Sequence, residues 1–548
     1  MKFKYSLPYL IYIFVFGVIP VVLTFFFVGV GIKSALSMFS VISPYEVLYN
    51  TFYFALFTAV FSVIIGYILA ITADITNSRI VYILAILPFT IPFTSSALIW
   101  LISLYGGYGW FSYILGLKYD PLYFSKTALT AVSMVSVWSS IPIAFLIILA
   151  SLRSIPKEIK EASQTDGLTL SQYYLNIAFP YALKGILLAF LMNFVLAMGN
   201  FDLPYVMTQG GPGFSTTTLP LAVYDMMFDY SNFAGGAFFA IILAAIASIP
   251  AVGIIILIKT KGFKISLPAA RIPDKLFKYI LYVVTAIVLV FLDFPVYWMV
   301  LVALRPPNLD FHYPPILYPK DVTYSYIISA FKASVPYLIS SIIIGSGVGL
   351  ISVFLSAPAA YESSRNSRFW TLMLSIYLYA LPSASFVIPI YIYMAKLNLL
   401  NTWWSLILAS PIFTATYAFW MMFNYYLDLP KVYEEAAEID GMKNKFLRLI
   451  LPLSRPFMTA SFLLSFIFAW HLLFYPLVLS DTPYNMRFPP YGSETITIFA
   501  LNAETQGSVN WGLLASSALI AALPVIILSY IGEDYILRGV YSGGVKGV

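Results

Sequence analysis

The residues with the clearest capacity for specific chemistry come as two matching runs in one chain. The first reads Ile155, Pro156, Lys157, then Glu161, Ala162, Ser163, then Asp166 and Gly167, closing at Pro180. The second reads Leu429, Pro430, Lys431, then Glu435, Ala436, Ala437, then Asp440 and Gly441, closing at Pro452. Glu161 and Glu435 stand 274 positions apart, half of 548. Pro156 and Pro430 suit a first helical turn, where no amide hydrogen is needed. Gly167 and Gly441 can take the positive φ that ends a helix, and Thr169 with Gln172 forms a capping-box pattern that starts the next one. The runs therefore predict helix, tight turn, helix, with a carboxylate beside a face of small residues. That shape docks into a groove on another surface and has no substrate of its own. One isolated glutamate of this kind would be an ordinary solvated charge, but the same register twice argues for docking.

A second set of candidates lies inside apolar stretches: Asn193, Asn200, Asp202, Asp293, Trp470 and His471. Polar groups at such positions are costly to bury in lipid, so a functional reading is the default. Packing between helices is the competing reading for each, and Asp293 is expected to be a structural hydrogen-bond partner.

The elements that must hold these groups follow from composition. Hydrophobic residues make up 61% of the chain and charged residues 10%, against about 25% charged in soluble domains. A membrane span needs about 20 mostly apolar residues as helix, because every backbone amide must find its partner inside the segment. Twelve such stretches occur, near 8–31, 51–75, 80–104, 127–151, 182–207, 233–258, 279–304, 338–361, 370–395, 402–426, 457–479 and 513–537. The first follows Lys2 and Lys4 but is long for a signal peptide and lacks a small-residue cleavage site, so it reads as a retained span. The fold expected is all-α and integral to the membrane.

Charge gives the orientation. With the amino terminus inside, 22 of the 30 Lys and Arg fall on the inner side. Only Lys33, Lys118, Lys126, Arg305, Lys320, Lys332, Lys396 and Arg487 fall outside. The positive-inside rule then places both termini in the cytoplasm, and the net charge of +6 is an orientation signal, not a nucleic-acid footprint. The most charged connector, 259–278, separates six spans from six, giving domains 1–265 and 266–548 with the repeated loops at 153–180 and 427–452. Two halves of even span number share one orientation and are related by a pseudo-twofold axis along the membrane normal. The absence of cysteine excludes disulfides, thiol catalysis and cysteine-ligated metals, and two histidines, His312 and His471, are too few for a histidine metal cluster.

The repeated loops resemble the signature of the permease subunits of binding-protein-dependent ABC importers, a cytoplasmic E-A-A-x-x-x-G loop that docks on the ATPase. Aspartate before the glycine is similar to the sugar-uptake, maltose-type branch. The run Phe201, Asp202, Leu203, Pro204, Tyr205, Val206, Met207, Thr208, Gln209, Gly210, Gly211, Pro212 resembles the T-x-G-G-P region of the first subunit of such pairs. The tail Arg538, Gly539, Gly543, Gly544, Val545, Lys546, Gly547 resembles that of the second, with Gly544 in place of the usual alanine. Other departures are Ser163 for alanine, a second loop two residues shorter after its glycine, and His471 where the family usually has asparagine.

This resemblance implies first and second permease subunits fused in one chain, with the twelve-helix architecture of type I importers. It implies a dimeric ATPase at the cytoplasmic face that binds ATP and Mg, with no cofactor held by this chain. Glu161, Ala162, Ser163, Asp166, Gly167 and their counterparts Glu435, Ala436, Ala437, Asp440 and Gly441 become the ATPase-coupling residues. Gly210, Gly211 and Pro212 become contacts for an extracellular solute-binding protein. The cargo implied is a sugar or oligosaccharide, moved into the cytoplasm across the cell membrane by alternating access. A sugar ring wants neutral hydrogen-bonding groups beside flat aromatic faces, and Asn200, Phe201, Asp202, Tyr205, Trp470 and His471 form the candidate path.

Three other classes compete. A fused metal-ion or anion permease would lack the aspartate-glycine loops and the T-x-G-G-P run. An ion-coupled secondary transporter also has two parallel halves but needs intramembrane carboxylates, which are almost absent. A polytopic membrane enzyme needs a catalytic pair in an aqueous loop, and Asp225, Asp229, Glu494 and Glu504 have no partnering histidine or lysine. No G-x-x-x-x-G-K-[ST] run occurs, so ATP hydrolysis belongs to another polypeptide.

Overall fold

The computed structural model describes residues 5–259, 271–486, 491–503 and 510–532. The boundary expected at 265/266 and the glycine-rich tail lie outside the described residues. Helices dominate, in this order: α1 Leu7–Ser34, α2 Pro44–Thr76, α3 Arg79–Thr90, α4 Phe93–Leu104 and α5 Ser125–Arg153. There follow α6 Lys157–Thr165, α7 Leu170–Met198, α8 Asp202–Thr208, α9 Leu219–Phe228 and α10 Phe233–Lys259. Beyond the charged connector come α11 Asp274–Ala303, α12 Ser325–Arg365, α13 Phe369–Ala380, α14 Val387–Lys396 and α15 Trp403–Asp428. The chain continues through α16 Val432–Ile439, α17 Phe446–Leu453, α18 Arg455–His471, α19 Phe474–Leu479, α20 Ile496–Asn502 and α21 Trp511–Ile531.

The span count differs from the twelve expected. Nine helices among the described residues are long and apolar enough to cross a membrane, or eleven when the bent pairs α3–α4 and α17–α18 each count as one. The stretch 370–395 is divided between α13 and α14, each too short to cross alone. Proline is the reason. Ile91 before Pro92 sits at ψ 125° and Leu381 before Pro382 at ψ 131°, because a proline ring pushes the preceding residue out of the helical region. Hydropathy averages over such breaks and cannot see them.

Each half lends its first helix to the other. Tyr9 of α1 hydrogen-bonds Ser375 of α13 at 2.6 Å and stacks on Phe419 of α15 at 4.7 Å, while Tyr12 donates to the Leu408 carbonyl at 2.9 Å. In return, Thr285 of α11 bonds Thr72 of α2 at 2.7 Å, and Trp138 of α5 donates to the Leu292 carbonyl at 3.0 Å. Tyr9, Phe419, Thr285, Trp138 and Leu292 are all buried. Lipid is as apolar as these side chains, so association within a bilayer relies on this close packing and on hydrogen bonds between helices.

Candidate solute cavity and repeated loops

Four helix breaks converge on one cavity of about 410 Å³, inside the range of about 300–1,000 Å³ common for ligand sites. Its wall contains Pro88 and Ile91 from the α3–α4 break, Gly199 to Asp202 from the α7–α8 break, Leu381 to Ser383 from the α13–α14 break, and His471 with Leu472 from the α18–α19 break. Irregular backbone within a membrane protein is tolerated where it is buried in protein or lines a cavity. The α7–α8 break is stabilised locally, because the Asn200 Oδ1 accepts the Leu203 amide in the first turn of α8 at 3.0 Å. At the α18–α19 break no proline intervenes, and Leu472 alone turns extended, at φ −61° and ψ 129°.

The wall is largely apolar, with few polar groups. Tyr379 and Tyr417 lie 5.5 Å apart and, with Trp420, offer an aromatic platform. Ser136, Ser139 and Ser140 stand at helical spacing on the α5 face that borders the space. Asp202 is 8% exposed and borders the cavity. His471 Nε2 is buried without a hydrogen-bond partner, as is the Ser465 hydroxyl.

Of the candidate path residues, Asn200, Phe201, Asp202 and His471 line the cavity, and Tyr205 and Trp470 do not. Tyr205 stacks behind Phe201 at 4.8 Å. Trp470 turns away: its indole donates to the Ala521 carbonyl at 2.9 Å, tying α18 to α21. Asn193 takes the packing role, donating to Ser62 at 2.8 Å and to the Ser140 carbonyl at 3.1 Å. Asp293 departs from its expected role, since its Oδ1 is buried without a hydrogen-bond partner. Sequence reasoning missed Tyr379, Tyr417, Trp420, Thr414, Ser465 and the α5 serines. The spacing of the serines at 136, 139 and 140 was a legible signal of one polar face.

The T-x-G-G-P run forms a compact loop after α8. Thr208 bonds Thr216 at 2.7 Å, Asn50 of α2 donates to the Phe214 and Thr217 carbonyls, and Gly210 takes φ +83° with Thr217 where a Cβ would go. Gly210 is buried, so it shapes the loop; Gly211 and Pro212 are half-buried and Gly213 is exposed at the tip.

The repeated loops fold as their sequence predicts. Gly167 and Gly441 end α6 and α16 at φ +69° and +67°, and the Thr169–Gln172 capping box is present. The prolines differ from that expectation: they fall just before the first helical turn, with Pro156 at the N-cap and Pro430 ahead of the N-cap Lys431. Glu161, Ala162, Asp166, Gly167 and Glu435, Ala436, Asp440, Gly441 are exposed, whereas Ser163 and Ala437 are buried against their own half. The small side chains thus seat each helix while the carboxylates face outward. Ile439, 87% exposed, adds an apolar contact point beside them.

Equivalent positions of the two loops carry opposite charges. Lys160 of α6 pairs with Asp74 of α2 at 3.5 Å, and Asp74 also accepts the Tyr174 hydroxyl at 2.5 Å. Glu434 of α16 pairs instead with Arg365 of α12 at 2.5 Å and accepts the Tyr361 hydroxyl at 2.9 Å. Arg365 also donates to the Tyr426 and Leu429 carbonyls at 2.7 and 3.0 Å. Each helix is latched to the end of the second span of its own half.

Multiple apolar spans, broken helices around a shared cavity and two exposed helices at equivalent positions define a transmembrane permease built from two similar halves. The sequence matches the binding-protein-dependent transport system inner membrane component family over residues 62–265 and again over 352–540, and the chain belongs to that family. Among similar proteins, the trehalose/maltose transport system permease protein MalG of Thermococcus litoralis is 30% identical over 282 residues, covering 50% of this chain and 99% of that one. MalF of the same organism is 30% identical over 241 residues, covering 40% and 80%. The probable ABC transporter permease protein YurM of Bacillus subtilis is 29% identical over 270 residues, covering 47% and 85%. Family members of this kind are transport subunits, and the ATPase is a separate partner.

Proposed function

We infer that this chain supplies both halves of the membrane pathway of an ATP-driven sugar importer, with the two subunits of the usual pair fused, as the double family match supports. The observation that carries the reading is the convergence of four helix breaks, two from each half, on one cavity with an aromatic platform and scattered hydroxyls. Flat aromatic faces and neutral hydrogen-bonding groups suit a sugar, and the trehalose/maltose permeases among the similar proteins support the same class of cargo. The exposed faces of α6 and α16 dock on the two subunits of a dimeric ATPase, one loop to each. Rocking of the halves then opens the cavity to one side at a time. A solute-binding protein delivers cargo at the face that carries the T-x-G-G-P loop. The protein resides in the cell membrane with both termini cytoplasmic, as its 22 to eight distribution of basic residues supports.

The test is reconstitution of the chain with its ATPase and binding protein in liposomes, with labelled maltose and trehalose offered on the binding-protein side. ATP-dependent accumulation of either is expected. Absence of uptake across a panel of neutral and acidic sugars would refute the reading. Single cysteines at Glu158 and Tyr119, both exposed, test the orientation: the first is expected to label only from the cytoplasm and the second only from outside.

A further inference from the structure

The charge pattern of the cavity narrows the cargo beyond sugar in general, and this step rests on the function inferred above. The wall contains one acidic residue, Asp202, and neither lysine nor arginine. Asp202 is more than nine-tenths buried, and no hydrogen bond to its carboxylate is found among the described residues. The Ser465 hydroxyl and His471 Nε2 in the same wall are likewise buried and unpartnered. Buried polar groups in native proteins are overwhelmingly hydrogen-bonded, so the Ser465 hydroxyl and His471 Nε2, standing in the same wall as Asp202, are groups that the hydroxyls of a ligand can satisfy. Asn200, whose Oδ1 is committed to the Leu203 amide, has its Nδ2 left to donate.

We propose that Asp202 is a specificity-determining residue that accepts hydrogen bonds from the hydroxyls of an uncharged sugar, and that the cavity excludes sugars bearing a carboxylate, sulfonate or phosphate. The Asp202 carboxyl oxygens accept hydrogen bonds, and sugar hydroxyls supply the donors. An anionic cargo entering the same space would leave water and find no cation to offset the loss. His471 Nε2 and Ser465 can serve a neutral sugar as further hydrogen-bonding partners, while Tyr379, Tyr417 and Trp420 cover the apolar face of the ring. Selectivity of this kind arises from a repulsive element built against the wrong ligand as much as from attraction to the right one.

The experiment uses the full chain with its ATPase and binding protein in liposomes, comparing maltose and trehalose with maltobionate and trehalose 6-phosphate. Wild type is expected to accumulate a neutral sugar at least tenfold faster than its charged counterpart. Asp202→Asn keeps the size of the side chain and adds a donor, and is expected to slow neutral uptake at least tenfold while the protein still assembles with the ATPase. Asp202→Glu, which keeps the acceptor, is expected to retain more uptake than Asp202→Asn. The same variants are titrated with maltose by fluorescence of the complex without the binding protein; among ten tryptophans, Trp420→Phe is expected to remove the maltose-dependent change, and a change that survives it would place the sugar outside this cavity. Uptake of a charged sugar as fast as its neutral counterpart would overturn the proposal and leave sugar import standing. Wild-type uptake by Asp202→Asn would remove the residue from its role. Failure of every sugar would refute both the proposal and the function on which it rests.

Discussion

Arg365→Ala tests whether the latch on α16 carries force between the ATPase and the cavity. The substitution removes the ion pair with Glu434 and the donors to the Tyr426 and Leu429 carbonyls together. The side chains of Arg365 and Glu434 are 14% and 17% exposed, between the surface case, worth about 0–1 kcal/mol, and the fully buried case, where breaking a pair costs about 3–5 kcal/mol. An intermediate cost of about 2–4 kcal/mol follows, which also covers the lost charged-donor bonds to carbonyls. At about 1.4 kcal/mol per tenfold, the docked position of α16 becomes about 30- to 1,000-fold less favoured relative to the loosened one. The first half offers an internal control. Lys160 is 38% exposed and stands 3.5 Å from Asp74, so Lys160→Ala is expected to cost about 0–1 kcal/mol. The assay is the ratio of sugar transported to ATP hydrolysed in liposomes. Arg365→Ala should lower that ratio severalfold while ATP hydrolysis persists, Lys160→Ala should leave it nearly unchanged, and Arg365→Glu combined with Glu434→Arg should restore it in part. An unchanged ratio in Arg365→Ala, or an equal loss in Lys160→Ala, would refute the assignment of force transmission to this pair.

The outward faces of α6 and α16 make a separate claim: Glu161→Lys with Glu435→Lys should leave an inserted permease that no longer co-purifies with the ATPase, because attractive charges become repulsive. Wild-type stoichiometry in that variant would remove the docking assignment. Asn200→Ala should weaken transport and loosen the start of α8, since the buried Leu203 amide loses its acceptor at about 1–3 kcal/mol; undiminished uptake would take Asn200 out of the site. In the loop between α4 and α5, burial raises the Asp120 carboxyl from 3.8 to about 6, opposed by its bond from the Leu122 amide. The protonated form is thus favoured in the folded loop, whose extra stability is present below about pH 4 and lost as pH rises through 6. Protease cleavage within 105–124 should accordingly be slower at pH 5 than at pH 7.5 after correction for protease activity, and Asp120→Asn should flatten the difference.

Much of this protein is readable in one dimension. Apolar stretches report membrane spans because lipid offers no partner for a backbone amide, and that constraint acts on each segment separately. The repeated loops were equally legible: proline, small residues and glycine act on the local backbone, and Gly167 and Gly441 take the positive φ that their spacing requires. What the cavity contains was only partly legible. Asn200, Asp202 and His471 stand out as polar groups in apolar runs, but Tyr379, Tyr417 and Trp420 are indistinguishable from the many other aromatic residues of the chain until the α13–α14 break and α15 are brought beside them. Trp470 shows the converse, a conspicuous residue whose indole is used to tie two helices together. The exchange of first helices between halves and the opposite charges at Lys160 and Glu434 were decided by tertiary structure alone. A side chain's periodic position says which residues share its helix face, but the partner that face meets depends on contacts hundreds of residues away in the chain, such as Tyr9 with Ser375. Local sequence therefore determined the spans and the fold of the repeated loops, and long-range packing determined where the spans break around a common space and what that space offers a sugar.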